Sequence, residues 1–431
     1  MPPRGTVRRS VGWRLTALLV VAGIGMAAGL VADSGDPVSL ASLERSFEVL
    51  PAASARIRTY TSLRTGLYWF ATAWYLTGLA LAVRTGIAER MLRLIPRLAG
   101  SQWWSAMVVW ASLAIFMAVW RLPVALASTH VERVFGLSNI PPALWIGDRL
   151  RDLVLEVAWA PGVAVAWWLM RRSPRRWWLI LALGLVPVGF LLTVVYPVFI
   201  DPLYNRFRPL EDGPLRTRIL AMAERAGVRD PAVLVADHSK RTRKANAYVT
   251  GLGPTHRIVL WDTLLSRMPR DEVLAITAHE LGHYRLGHIW MGLALYSAGG
   301  FLTLWALAYA LGGADRDNGQ PQPLGVLGDP RAIPLAFLAL NLLLLAQTPL
   351  ASAISRVMER QADAFGLALC GDGPATARSL ASFSTDDLAD PDPSRWLVAW
   401  GYTHPPLRER VARALAHESG DARQARPSNV P

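Results

Sequence analysis

The sequence predicts a mostly α-helical, polytopic membrane fold with about seven transmembrane helices and one small α+β segment. Three observations carry that reading. Hydrophobic residues make up 52% of the 431 residues, and the mean hydropathy is +0.26. Six runs are long, apolar and free of Asp, Glu, Lys and Arg. One extended polar stretch, Asp201 to Arg285, interrupts them.

A bilayer core needs roughly 20 apolar residues of helix. The runs that meet it are Leu15–Ala32, Thr65–Val83, Leu98–Trp120, Trp177–Ile200, Leu286–Ala314 and Ala332–Ser355. Val157–Met170 is shorter and holds Pro161 and Gly162; it spans if the helix starts near Leu150 and carries Glu156 inward. His288, Asn341 and Gln347 fall inside runs and are expected to face protein or water. Trp103, Trp104, Trp120, Trp177 and Trp178 sit at run ends, where an indole suits the headgroup layer. Arg4, Arg8, Arg9 and Arg14 ahead of the first run also fit a cleavable signal, but the run's length favours a retained anchor.

The polar stretch has its own order. Leu215–Ala226 has helical periodicity and stops at Gly227. Ala232–Ala236, Ala247–Thr250 and Arg257–Trp261 read as short strands. Arg270–Arg285 reads as a helix, with Asp271 and Glu272 in the turn where the macrodipole favours anions. The chain therefore divides into an anchor helix and polar loop (1–64), transmembrane helices two to five (65–200), an α+β segment (201–285), transmembrane helices six and seven (286–355), a helical C-terminal segment (356–417) and a disordered tail (418–431). A further polar loop is expected over 121–152.

The net charge of +13 is spread over short loops, so anionic lipid headgroups are its partner and nucleic acid is not. Lysine occurs only at 240 and 244, leaving arginine as the bulk of the 45 basic residues, a bias typical of GC-rich bacterial genomes. A single cysteine, Cys370, excludes an internal disulfide framework and a cysteine-based metal cluster.

The chemistry concentrates in His279-Glu280-Leu281-Gly282-His283. Histidines four apart on a helix share a face, about 40° from one another, and can meet one Zn²⁺. Glu280 stands beside them as a general base for water. A third ligand is required. His288 is not at the metzincin position, which is Ile289 here. Glu359 and Asp363, four apart at the end of the last apolar run, can supply a ligand and its support; spacing alone allows a solvated acidic pair equally well.

These residues belong to a longer series. His130–Ser138, Ile200–Phe207, Asn246-Ala247-Tyr248, Ile258–Leu265, the His-Glu-Leu-Gly-His helix, Glu359–Asp363 and His404-Pro405-Pro406-Leu407 follow one another in the order of the zinc CAAX prenyl protease family, type 1, which the chain resembles over about 65–417. It resembles the bacterial heat-shock membrane metalloproteases more distantly. The resemblance implies a gluzincin-type α+β metalloprotease segment, one Zn²⁺ on His279, His283 and Glu359, and catalysis by Glu280 with His404 over the open coordination position. It also implies Asp363 and Arg410 behind the ligands, and Asn246 and Tyr248 on the strand that holds the substrate backbone. By itself, His404 beside two prolines reads as a capped loop histidine.

The implied activity is endopeptidase cleavage of a hydrophobic or C-terminally lipidated, CAAX-like peptide, in a multi-pass protein of the bacterial cell membrane. A quality-control protease without prenyl specificity would carry the same site. A non-catalytic zinc-stabilised scaffold would have lost the base that Glu280 supplies, and a transporter would show repeats that this chain lacks. Arginine-rich loops, with Arg171, Arg172, Arg175 and Arg176 the clearest cluster, place Asp201–Arg285 outside by the positive-inside rule. The family resemblance implies the cytosolic side.

Overall fold

The structure is a computed structural model that describes residues 38–96, 101–251, 255–312 and 329–418. The first expected span, Leu15–Ala32, and nearly all of the expected tail lie outside the described residues. Within them, six helices are long and apolar enough to cross a membrane.

In chain order the helices are α1 (Leu40–Val49), α2 (Ala55–Thr85), α3 (Ile87–Leu94), α4 (Gln102–Val134), α5 (Pro142–Ala158), α6 (Ala160–Arg172), α7 (Trp177–Val195) and the short α8 (Asp201–Tyr204). There follow β1 (Phe207–Pro209), α9 (Pro214–Arg225), β2 (Ala232–Ala236), β3 (Ala247–Thr250), β4 (Arg257–Trp261), α10 (Asp262–Arg267) and α11 (Arg270–Arg285). The chain returns to the membrane through α12 (His288–Gly312) and α13 (Ile333–Cys370), and closes with α14 (Gly373–Thr385), α15 (Arg395–Gly401) and α16 (Leu407–Glu418).

Several helices outrun the apolar runs that predicted them. The span expected from about Leu150 begins at Pro142, as α5 and α6 joined at Trp159, and Glu156 meets Arg121 at 2.6 Å. An ion pair between helices removes the cost that a lone carboxylate would carry there. The expected 121–152 loop shrinks because α4 continues through Pro123 to Val134 and α5 starts at Pro142. The polar loop expected at the end of the 1–64 segment is largely helical over residues 38–64: Ser39 accepts the Ser42 N–H (3.2 Å), Ser54 accepts the Ile57 N–H (3.2 Å), and each cap opens a helix. Helix α13 runs unbroken past Ser355 to Cys370.

Some polar and aromatic side chains in the runs find partners within the protein and others stay exposed. Gln347 donates to Thr303 Oγ1 (2.6 Å) and Asn341 to the Phe337 carbonyl (2.8 Å). Trp103 and Trp104 are exposed, but Trp177 is 1% exposed and is a core residue instead of a headgroup anchor. Trp120 stacks on Trp74 with centroids 4.4 Å apart, each indole N–H donating to the other's carbonyl. Gly78 makes room for that pair, since a Cβ there would lie 2.4 Å from the Trp120 ring.

The four-stranded sheet has the order β1-β2-β4-β3. β2 and β4 are parallel, and β3 pairs antiparallel to β4 with Tyr248 opposite Val259. β1, which the composition of Phe207–Pro209 does not announce, pairs with β2. Central β4 buries Ile258, Val259 and Leu260 completely, whereas β3 lies at a sheet edge and packs beside α11. Ile258, Leu260, Val273, Leu274, Ala278 and Leu281 share one core.

Candidate metal centre

Helix α11 is anchored at its acidic end, where Arg378 from α14 reaches Asp271 (2.6 Å) and Glu272 (3.3 Å). Its apolar face is buried against the sheet, which leaves His279, Glu280 and His283 on the other side, half-buried. That side meets α13 at unusually close range. A Cβ on Gly366 would sit 2.9 Å from the Cα and N of His279, and one on Gly282 would sit 3.0 Å from the Ala362 carbonyl oxygen. Two glycines thus allow backbone-to-backbone packing, and α13 delivers Glu359 between the two imidazoles.

His279 Nε2 lies 3.1 Å from His283 Nε2 and 3.2 Å from Glu359 Oε2, and His283 Nε2 lies 3.4 Å from Glu359 Oε1. The edge of a tetrahedron with metal–ligand bonds of about 2.0–2.2 Å is about 3.3–3.6 Å long. Glu359 is 7% exposed, and its Oε2 has no well-directed hydrogen bond among the described residues. Two ring nitrogens and a buried carboxylate packed this closely fit a divalent cation better than they fit one another.

Behind this set, Asp363 Oδ1 stands 2.8 Å from His279 Nδ1. Arg410 grips Asp363 with two bonds, Nε to Oδ2 (2.8 Å) and Nη2 to Oδ1 (2.7 Å). Burial lowers the affinity of His279 for a proton, but the close carboxylates of Asp363 (2.8 Å) and Glu359 (3.2 Å) outweigh it and push its pKa up to about 10. Burial raises the Glu280 carboxyl above the usual range, against the pull of both histidines. Such a carboxylate is a stronger base than an exposed one.

His288 packs behind His283 and lies outside the converging donor group. Gly287, at φ +68°, turns the chain so that His288 folds back, 3% exposed, onto α11. Its Nδ1 is 3.0 Å from His283 Nδ1, and its Nε2 is 3.1 Å from Gln361 Oε1. An amide oxygen only accepts, so His288 carries its proton on Nε2 and its Nδ1 accepts from His283. That fixes His283 as the tautomer with Nε2 free for metal. His288→Phe is therefore expected to weaken metal affinity about 10–100-fold, read by chelator competition with the fold checked by circular dichroism. Unchanged affinity would refute the assignment.

His404 comes from the loop before α16. Its Nε2 lies 3.2 Å from Glu359 Oε2, and Nδ1 is 3.0 Å from Thr403 Oγ1. Arg356, fully buried on α13, fixes that loop by donating to the carbonyls of Val398 (2.7 Å) and Tyr402 (2.8 Å). One cavity of about 600 Å³ is lined by His279, Glu280, Asp363, His404, Arg410 and Asn246. Tyr248 is outside its wall: the phenol donates to Asp201 Oδ2 at 2.5 Å, and burial followed by that bond raises its pKa. Its strand still presents backbone at the sheet edge.

A membrane body with six candidate spans among the described residues, bringing a His-Glu-x-x-His helix against a glutamate, defines the chain as an integral-membrane metalloendopeptidase. Comparisons with known proteins agree. Residues 209–418 match the model of peptidase family M48, and 47–206 match the CAAX prenyl protease N-terminal model of five membrane helices. The chain is 32% identical over 316 residues to the uncharacterized metalloprotease YhfN of Bacillus subtilis (72% of this chain, 74% of that one). It is 33% identical over 315 residues to CAAX prenyl protease 1 of Saccharomyces cerevisiae (67% of each). The crystal structure of S. mikatae Ste24p superposes with a TM-score of 0.72 at 24% identity, covering 94% of this chain and 97% of the other. The chain belongs to peptidase family M48.

Proposed function

We propose that the chain is a zinc endopeptidase of a bacterial cell membrane that cleaves hydrophobic or C-terminally lipidated peptides. The observation that carries the reading is the convergence of His279 Nε2, His283 Nε2 and Glu359 beside Glu280 in one cavity. Two imidazoles and a carboxylate, with a position left open, are a zinc hydrolase donor set. When bound, zinc supplies a Lewis acid that polarises the scissile carbonyl and acidifies water. Glu280 accepts the proton from the attacking water and returns it to the leaving amine. His404 faces the carbonyl oxygen as charge develops there. Asp363, gripped by Arg410, keeps the His279 ring turned toward the ion. The outer edge of β3, with Asn246 and Tyr248, takes the peptide as an added strand.

The name of the yeast relative supports a lipidated substrate, while the Bacillus relative and the arginine bias support the bacterial membrane. Purified protein is expected to hold stoichiometric zinc. Dialysis against a chelator should remove metal and peptidase activity together, and added zinc should restore both. Full activity in protein stripped of metal would overturn the reading. Comparing prenylated with unprenylated peptide of one sequence then tests the lipid preference.

A further inference from the structure

The two ends of the helix bundle carry charge differently. Away from the metal centre, the close of α2, all of α3, the start of α4, the close of α6 and the turn before α13 come together. Ala82, Ala88, Ala106, Trp167 and Ile333 share one core there, and Trp103 stacks on Trp168 with centroids 6.0 Å apart. Helix α13 starts at this end and reaches Glu359 about 39 Å further on, at about 1.5 Å per residue. Here α2 and α3 expose Arg84, Arg90 and Arg93, and the turn from α6 to α7 exposes Arg171, Arg172, Arg175 and Arg176. The turn before α13 adds Arg331, also exposed. Among the described residues the acids at this end are Glu89, 2.6 Å from Arg93, and Asp329, 3.6 Å from Arg331. Residues 97–100 and 313–328 carry Arg97 and Arg316 against Asp315 and Asp317, and leave the excess of arginine unchanged. Helix α3 buries Ala88 and Leu92 and leaves Leu94, 72% exposed, beside Arg90 and Arg93, a face suited to the headgroup layer. At the metal-centre end arginine is mostly matched. Arg64 pairs with Glu132 (3.2 Å), Arg149 with Asp152 (3.2 Å) and Arg151 with Asp148 (2.8 Å). Arg56 and Arg257 donate to the carbonyls of Phe135 and Pro197, at 2.7 Å each. The connection from α4 to α5, residues 135–141, holds neither lysine nor arginine.

We infer that the arginine end is the cytoplasmic end, seated on anionic phospholipid headgroups, and that the metal centre opens on the opposite side of the membrane. Arginines in short connections are retained in the cytoplasm, and those without a carboxylate gain from the anionic leaflet there. The polar segment 201–285 is too long for its own charges to set the orientation. This side is opposite to the one that the family resemblance implies. The inference rests on the peptidase reading and adds to it where the substrate is met. The peptides cut are apolar segments presented outside the cytoplasm, on exported or membrane-spanning chains.

The test uses the full chain with Cys370→Ser, expressed in a bacterial inner membrane, and two single-cysteine variants of it. Asp212→Cys lies at the metal-centre end, where the native side chain is 93% exposed. Pro174→Cys lies in the exposed arginine turn. Sealed spheroplasts are treated with a membrane-impermeant maleimide before and after permeabilisation. Before permeabilisation, position 212 is expected to label at least about tenfold more than position 174, and afterwards both should label. Labelling of 174 ahead of 212, or of both equally in sealed cells, would overturn the orientation. Cleavage is read on the same cells with a membrane-impermeant fluorogenic peptide that has an apolar centre. The peptide should be cut without permeabilisation. Cutting only after permeabilisation would overturn the orientation and leave the peptidase standing. No cutting in either state would overturn the peptidase reading, while the two labels still decide the orientation.

Discussion

Glu280→Gln is expected to lower kcat about a thousandfold while zinc stays stoichiometric. Glutamine keeps the shape and removes the basic oxygen. Glu280 is not one of the three converging donors, and it lines the cavity beside His279. The side chain is half-buried with its proton affinity raised, so a carboxylate there gains most as a base and an amide loses all of that gain. Metal analysis and single-turnover peptide cleavage on the same sample decide it. An intact zinc content with undiminished cleavage would refute the role given to Glu280 and, with it, the route of the proton.

The second large effect is expected from a single methyl group. Gly366→Ala places a Cβ 2.9 Å from the backbone of His279, where no side-chain rotation relieves the overlap. The helices α11 and α13 must separate by a few tenths of an ångström or more, and the distance between His279 and Glu359 opens with them. We expect zinc affinity to fall about 10–100-fold, the range for disturbing the shell that orients metal ligands. Gly300→Ala is the matched control, because nothing lies within 4 Å of a Cβ there. If Gly366→Ala binds zinc as tightly as the control, the backbone contact does not set the metal geometry.

The elements that the sequence made legible are those whose signal is local. Histidines four apart announce themselves on any helix, and α11 begins and ends where Arg270–Arg285 was expected to. Glu359 was legible only as half of an ambiguous acidic pair until the resemblance gave it a role. The structure brings its carboxylate within 3.2 Å of His279 Nε2, while Asp363 meets Arg410. What stayed hidden depends on partners distant in sequence. Gly282 and Gly366 are unremarkable glycines until two helix backbones touch. His288 was weighed as a ligand because the chain cannot show which nitrogen faces which. Helix ends were missed because charged residues such as Arg121 and Glu156 stop an apolar run without stopping a helix, once each has the other as a partner.

The long helix α13 has a consequence for the order in which this protein becomes dangerous. It carries Glu359 on the same unbroken rod that crosses the membrane, whereas His279, Glu280 and His283 are synthesised before α12 and α13. On the proposed ligand set, a nascent chain that has emerged only through Arg285 owns a base and two histidines but no third donor. The centre closes only after α12 and α13 have been made and packed against α11. The order of synthesis thus ties the completed donor set to the last two long helices: a chain ending at Arg285 has the base and both histidines but not the carboxylate that completes the proposed centre.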